Sequence, residues 1–102
     1  MEKVIAGQAI QVNEEGYLKD FKQWSAEIGQ ELAKEANIQM EAKHWEVVDY
    51  LQKEFKNESP ISIRKIGKSN VVDIKEFYAL FPQGPLKTAS KIAGIPKPAS
   101  CL

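Results

Sequence analysis

Apolar residues along the chain follow two different periods. Near the start they form short clusters, Lys3-Val4-Ile5-Ala6 and Ala9-Ile10-Gln11-Val12, on either side of Gly7-Gln8. β-compatible runs around a glycine, which tolerates positive φ, predict a hairpin. Asn13-Glu14-Glu15-Gly16 then reads as a turn. From residue 19 onward the spacing becomes three and four. Phe21, Trp24, Ile28 and Leu32 share one helical face, predicting a helix over 19–36 that stops at Asn37. Trp45, Val48, Leu51 and Phe55, widened by Val47 and Tyr50, predict a second helix over 42–56. Glu41 stands where Ser or Thr would cap it best, although its charge suits a helix N-terminus. The aromatic residues of both stripes are read as core.

The second half is punctuated by caps and breakers. Ser59-Pro60 opens a short helix through Lys68, because proline is tolerated at the first helical position. Ser69-Asn70 breaks it. Asp73 caps a helix over 74–80 that Pro82 ends, and Gly84-Pro85 opens a last one to Ala93, stopped by Gly94. Leu80-Phe81-Pro82 is expected to pack beneath the point where the chain leaves that helix. Beyond it, Ile95-Pro96-Lys97-Pro98-Ala99-Ser100-Cys101-Leu102 alternates proline with other residues. Such a tail excludes helix and favours an extended, polyproline-like arm. The expected organisation is one globular domain over 1–94 and a flexible arm over 95–102.

At 102 residues, with 43% hydrophobic and 27% charged side chains, the chain has the size and balance of one globular domain. No apolar run approaches the ~18 residues of a membrane helix, and the first residues lack the apolar stretch of a signal peptide. A cytoplasmic location is expected, and a single cysteine fits a reducing compartment. The net charge of zero hides an asymmetry. Residues 1–59 carry seven lysines against twelve acidic residues, a net of −5, and residues 60–102 carry seven basic against two acidic, a net of +5. The basic half is either a solvated balance to the acidic one or a contact surface for an acidic protein or RNA.

Little catalytic chemistry is available. One histidine and one cysteine, 57 positions apart, do not make a zinc site, and no cofactor motif is present. His44, beside Trp45 on a helix, reads as a structural histidine. Cys101 is the exception. Free cysteines are usually buried, yet this one is penultimate, behind two prolines. It lies seven residue steps beyond Gly94, a reach of about 20 Å at ~3.1 Å per residue. An extended arm loses little entropy on entering a partner's cleft. The thiol has no general base supplied by its own neighbourhood, which suits a carrier better than a nucleophilic enzyme. A helix-turn-helix-like nucleic-acid module over 60–80 is the rival reading, weakened by the lack of a recognition helix rich in Arg, Asn and Gln.

Specific blocks carry a resemblance. Glu15-Gly16-Tyr17-Leu18, Gln23-Trp24-Ser25, His44-Trp45-Glu46-Val47-Val48, Ser59-Pro60 with Ile63-Arg64, Leu80-Phe81-Pro82-Gln83-Gly84-Pro85 and Lys91-Ile92-Ala93-Gly94-Ile95-Pro96-Lys97-Pro98, closing on Cys101, resemble the DsrC/TusE family of sulfur carriers. The resemblance implies an α+β, mostly helical fold, a small N-terminal β-hairpin or meander on an array of about five helices. It also implies that Cys101 accepts a persulfide sulfur and passes it on. In the TusE branch the donor would be a TusBCD-like complex and the acceptor a tRNA 2-thiouridylase. In the DsrC branch the partners would be a DsrEFH-like complex and sulfite reductase. The DsrC branch places a second cysteine eleven positions before the last, where this chain has Ser90. A single-thiol, TusE-like relay is therefore the expectation, and a gamma protein of dissimilatory sulfite reductase the alternative. The stretch from Lys68 to Phe77 is shorter than the family implies, and Gln52 stands where it implies arginine. Arg64, Lys87, Lys91 and Lys97 are the candidates for steering the arm or pairing with a partner's acidic surface.

Overall fold

The structure, a computed structural model, describes residues 1–98. It opens with an antiparallel hairpin of β1 (Glu2–Ile5) and β2 (Gln8–Gln11). A 3₁₀ turn (Phe21–Gln23) follows, then five helices: α1 (Ala26–Glu35), α2 (Ala42–Lys56), α3 (Ile63–Lys68), α4 (Ile74–Leu80) and α5 (Pro85–Ile92). The hairpin turn falls on Ala6-Gly7 rather than Gly7-Gln8, with φ of 52° and 77° at the two loop residues. Two successive positive φ values give the turn whose twist matches paired strands. In this register Ile10 lies opposite Lys3, and Ile5 and Ile10 go to the core while Val4 faces solvent. Val12 then closes a third, shorter segment: its N–H donates to the Met1 carbonyl at 2.8 Å, and it bridges Leu18.

The helix expected over 19–36 is two elements. Trp24 is extended, and the Ser25 hydroxyl accepts from the Ile28 N–H at 3.4 Å to start α1. Asp20 caps the preceding 3₁₀ turn by accepting from the Lys22 N–H at 2.9 Å. Short polar side chains that offer the backbone a local bond thus interrupt a continuous apolar stripe. Phe21 and Trp24 consequently stack on each other, centroids 6.3 Å apart, and Phe21 tilts against Phe55.

α2 spans 42–56 as expected, but its start is capped by a histidine. The Glu41 N–H donates to His44 Nδ1, and His44 Nε2 lies 3.0 Å from the Leu80 carbonyl. One nitrogen accepting fixes the other as donor, so the ring is the neutral Nε2–H tautomer and ties α2 to the end of α4. Further along α2, the Tyr50 hydroxyl donates to Glu54, which also pairs with Lys65 of α3 at 3.3 Å. Burial, together with the Glu54 carboxylate, pushes the Tyr50 phenol up to about 12.

α3 begins later than expected because Ser62, not Ser59, accepts the capping bond, from the Lys65 N–H at 3.2 Å. α4 has a reciprocal capping box: the Asp73 carboxylate accepts from the Glu76 N–H at 2.7 Å, and the Glu76 carboxylate from the Asp73 N–H. The core runs from Ile5 and Ile10 through Ile28, Leu32, Val47, Val48 and Leu51 to Phe77, Phe81, Leu86 and Ile92. Phe81 is fully buried, edge-on to His44 at 5.2 Å and tilted against Phe77 at 5.7 Å.

Truncating that ring opens a cavity among rigid neighbours. Phe81→Ala should cost roughly 3–5 kcal/mol, a fall in melting temperature of more than about 10 °C for a domain of this size. A thermal melt indistinguishable from the wild type would show that the ring is not a keystone of the core.

The root of the C-terminal arm as candidate functional site

Helices end with carbonyls that lack intrahelical partners. At the end of α5 these groups are met by side chains from far along the sequence. The Trp24 indole Nε1–H donates to the Ile92 carbonyl at 2.7 Å. The Gln52 side-chain amide, almost wholly buried, donates to the Ala93 carbonyl at 2.8 Å. The Gly94 N–H donates to the Lys91 carbonyl and the Ile95 N–H to the Ser90 carbonyl. Gly94 has φ of +75°, and a Cβ there would stand 2.4 Å from Trp24 Cδ1. Both the left-handed turn and the approach of the indole therefore demand glycine.

The chain does not leave the body at residue 95. Ile95 is 1% exposed and belongs to the core, and Pro98 is buried. Between them Lys97 Nζ reaches Glu15 Oε2 at 3.0 Å, across the turn that follows the hairpin. Isoleucine read as the first residue of a solvated arm is in fact its plug: an apolar side chain one residue past a helix stop finds the core it has just left. Cys101 lies outside the described residues.

Three of the four candidate cations gather beside this root. Lys87 and Lys91 lie one turn apart on α5 and line a groove of about 670 Å³ with Glu14, Glu15 and Tyr17. Lys91 Nζ stands 5.2 Å from the centre of the Tyr17 ring, and the Tyr17 hydroxyl donates to the Lys87 carbonyl at 3.3 Å. Lys97 joins the same region through Glu15. Arg64 is exposed on α3 and does not line this groove.

The residues that sequence reasoning missed here are Trp24 and Gln52. Trp24 reads as another core aromatic; the usable signal is that an indole N–H packed inside needs an acceptor. Gln52 supplies a neutral donor where a cation would be desolvated. Ser90 is completely buried, and its hydroxyl has no hydrogen-bond partner among the described residues. Among those residues no three His, Cys, Asp or Glu side chains converge as a metal site, and no helix is long and apolar enough to cross a membrane.

The comparisons with known proteins agree with this architecture. The family model described as "DsrC like protein" matches residues 4–102. Sulfurtransferase TusE of Buchnera aphidicola from Acyrthosiphon pisum is 43% identical over 91% of this chain and 89% of its own. Sulfurtransferase TusE of Salmonella paratyphi A is 39% identical over 97% of this chain and 98% of its own. Among solved structures, the oxidized gamma-subunit of the dissimilatory sulfite reductase from Archaeoglobus fulgidus superposes with a TM-score of 0.82, at 32% identity, over the whole of both chains.

Two substitutions probe the root. Ser90→Ala removes a buried hydroxyl that is unsatisfied at a cost of about 1–3 kcal/mol, so the melting temperature should rise by about 4 °C or more. Gly94→Ala forces a side chain into the Trp24 ring at positive φ and should lower stability by about 1–3 kcal/mol in urea denaturation. A rise with Gly94→Ala, or a fall with Ser90→Ala, would contradict these contacts.

Proposed function

The chain belongs to the DsrC-like family, and on that premise we propose that it is a single-thiol sulfur carrier working through Cys101. What carries the reading is that the family match runs to residue 102 and so includes the penultimate cysteine, in a chain whose relatives are named sulfurtransferases. The Cys101 thiolate attacks the outer sulfur of a donor cysteine persulfide. The donor S–S bond breaks, its electron pair leaves with the donor thiolate, and Cys101 becomes Cys101–S–SH. The acceptor's thiolate repeats the exchange, so sulfur moves with no net oxidation. This is an exchange of thiols that needs no cofactor.

The contribution of this chain is placement. Cys101 is three residue steps beyond Pro98, and three steps of chain span at most about 11 Å. The sulfur is thus tethered to a root held by Trp24, Gln52 and Ile95, which shortens the free reach from the ~20 Å of an arm starting at Gly94. A short tether on a fixed base presents sulfur within a small volume, which raises its effective concentration at a docked partner.

The pathway we assign is tRNA 2-thiolation in the cytoplasm, with a TusBCD-like donor and a tRNA 2-thiouridylase as acceptor. Ser90 favours it over the sulfite-reductase role. A sealed serine supplies no second sulfur for a disulfide or trisulfide between position 90 and Cys101. The solved neighbours named as sulfite-reductase subunits keep that role as the alternative.

Incubation with a persulfide-loaded donor should add one sulfur atom to the intact mass, and Cys101→Ser should abolish the addition. Cells lacking this chain should lose 2-thiouridine from tRNA and regain it with the wild type but not with Cys101→Ser. Full loading of Cys101→Ser would end the carrier reading, and unchanged 2-thiouridine would end the pathway assignment.

A further inference from the structure

We propose that Glu15 is a positioning residue for sulfur transfer: by holding Lys97 it sets the direction in which the last segment of chain carries Cys101 away from the body. The inference rests on the carrier reading above and deepens it, naming a residue far from the arm in sequence that governs where the sulfur is presented.

Trp24, Gln52 and Ile95 hold the place where the chain passes the end of α5, but not its heading two residues later. Lys97 supplies that constraint. Its Nζ lies 3.0 and 3.3 Å from the two carboxylate oxygens of Glu15, across 82 positions of sequence. The pair is partly exposed, with 37% of the lysine side chain and 56% of the glutamate side chain open to solvent. Most such pairs contribute little, because two long side chains must be ordered and water screens the charges. Here much of the ordering precedes the pairing. Ile95 and Pro98 are buried on either side of Lys97, and the rings of Pro96 and Pro98 lock their own φ angles. The lysine backbone is therefore held before its side chain meets the acid.

The glutamate stands on an equally firm support. Asn13 closes the turn over 13–17: its Oδ1 accepts from the Glu15 N–H at 2.9 Å and from the Tyr17 N–H at 3.1 Å, and its own N–H donates to the Tyr17 carbonyl at 2.9 Å. Tyr17 is buried, and its hydroxyl bond to the Lys87 carbonyl pins the turn to α5. Lys91 braces the turn from the same helix, its Nζ 3.7 Å from where a Gly16 Cβ would be and over the Tyr17 ring. Acid and cation are thus both referred to α5, the one through Tyr17 and the other through the Ile95 N–H on the Ser90 carbonyl. An ion pair between two preorganised groups gives a heading to a chain whose origin is already fixed. Only three residue steps run from Pro98 to Cys101, so a change of heading at Lys97 passes directly to the sulfur.

The test uses the full chain with a nitroxide on Cys101, the one thiol in the sequence, which labels without any substitution. Glu15→Gln and Lys97→Met should each shorten the rotational correlation time of the label, by about two- to fivefold for one partly exposed ion pair. The double variant should be no more mobile than either single one, because both remove the same contact. Lys97→Arg should keep the wild-type spectrum, and salt at about 1 M should loosen the wild type but not Glu15→Gln. The melting temperature should stay near that of the wild type, as for other exposed substitutions. The unlabelled chain is then loaded from a persulfide-loaded TusBCD-type complex and from glutathione persulfide, which is too small to need an aimed thiol. Glu15→Gln should lower the maximal loading rate from the complex about two- to fivefold more than the rate from glutathione persulfide, with the half-saturating concentration of the complex unchanged. Additive effects of the two substitutions on the label, or a spectrum indifferent to both, would overturn the proposal and leave the carrier intact. Faster loading of Glu15→Gln from the complex would overturn it too, since the pair would then restrain the chain rather than aim it. No loading of the wild type from either source would fail the carrier reading itself, whatever the label shows.

Discussion

The position of the arm depends on a contact between residues 68 positions apart, the Trp24 indole and the Ile92 carbonyl. A helix C-terminus buried without donors is unstable, and α5 ends inside the molecule. The indole resolves this, and its ring lies so close to the next turn that only glycine fits at 94. The Gln52 amide covers the adjacent carbonyl from α2. The 3₁₀ segment, α2 and α5 are thereby referred to one point, the end of α5. Loosening the indole would therefore unseat the end of α5 and the turn at Gly94 together.

Much of this was legible in the sequence. The α2 stripe, the Asp73 cap and the Gly84-Pro85 opening each rest on local rules, and the structure follows them to the residue or nearly so. The break at Trp24-Ser25 was obscured because the apolar spacing of three and four continues across it, while the serine that ends the stripe's continuity works through a single backbone bond. The His44 cap was hidden for a similar reason: histidine is a poor N-cap by type, and here it acts from three residues inside the helix.

The candidate site divides in the same way. The chemical group, Cys101, is conspicuous by scarcity, since one sulfur nucleophile in 102 residues leaves little choice. Its support is not conspicuous. That Ile95 returns to the core, that Gln52 is a donor to Ala93 and that Lys97 meets Glu15 are long-range facts with no local signature. The charge asymmetry between the halves was visible, but not its sorting. The structure places Lys87, Lys91 and Lys97 near acids and Tyr17, and leaves Arg64, Lys68 and Lys75 without carboxylate partners among the described residues.

The serine at position 90 limits the disulfides open to this chain. With one thiol in the whole molecule and a mute oxygen at that buried spot, no loop can be closed by sulfur within the polypeptide. Any disulfide formed by Cys101 therefore joins this chain to another molecule: a partner, a small thiol or a second copy.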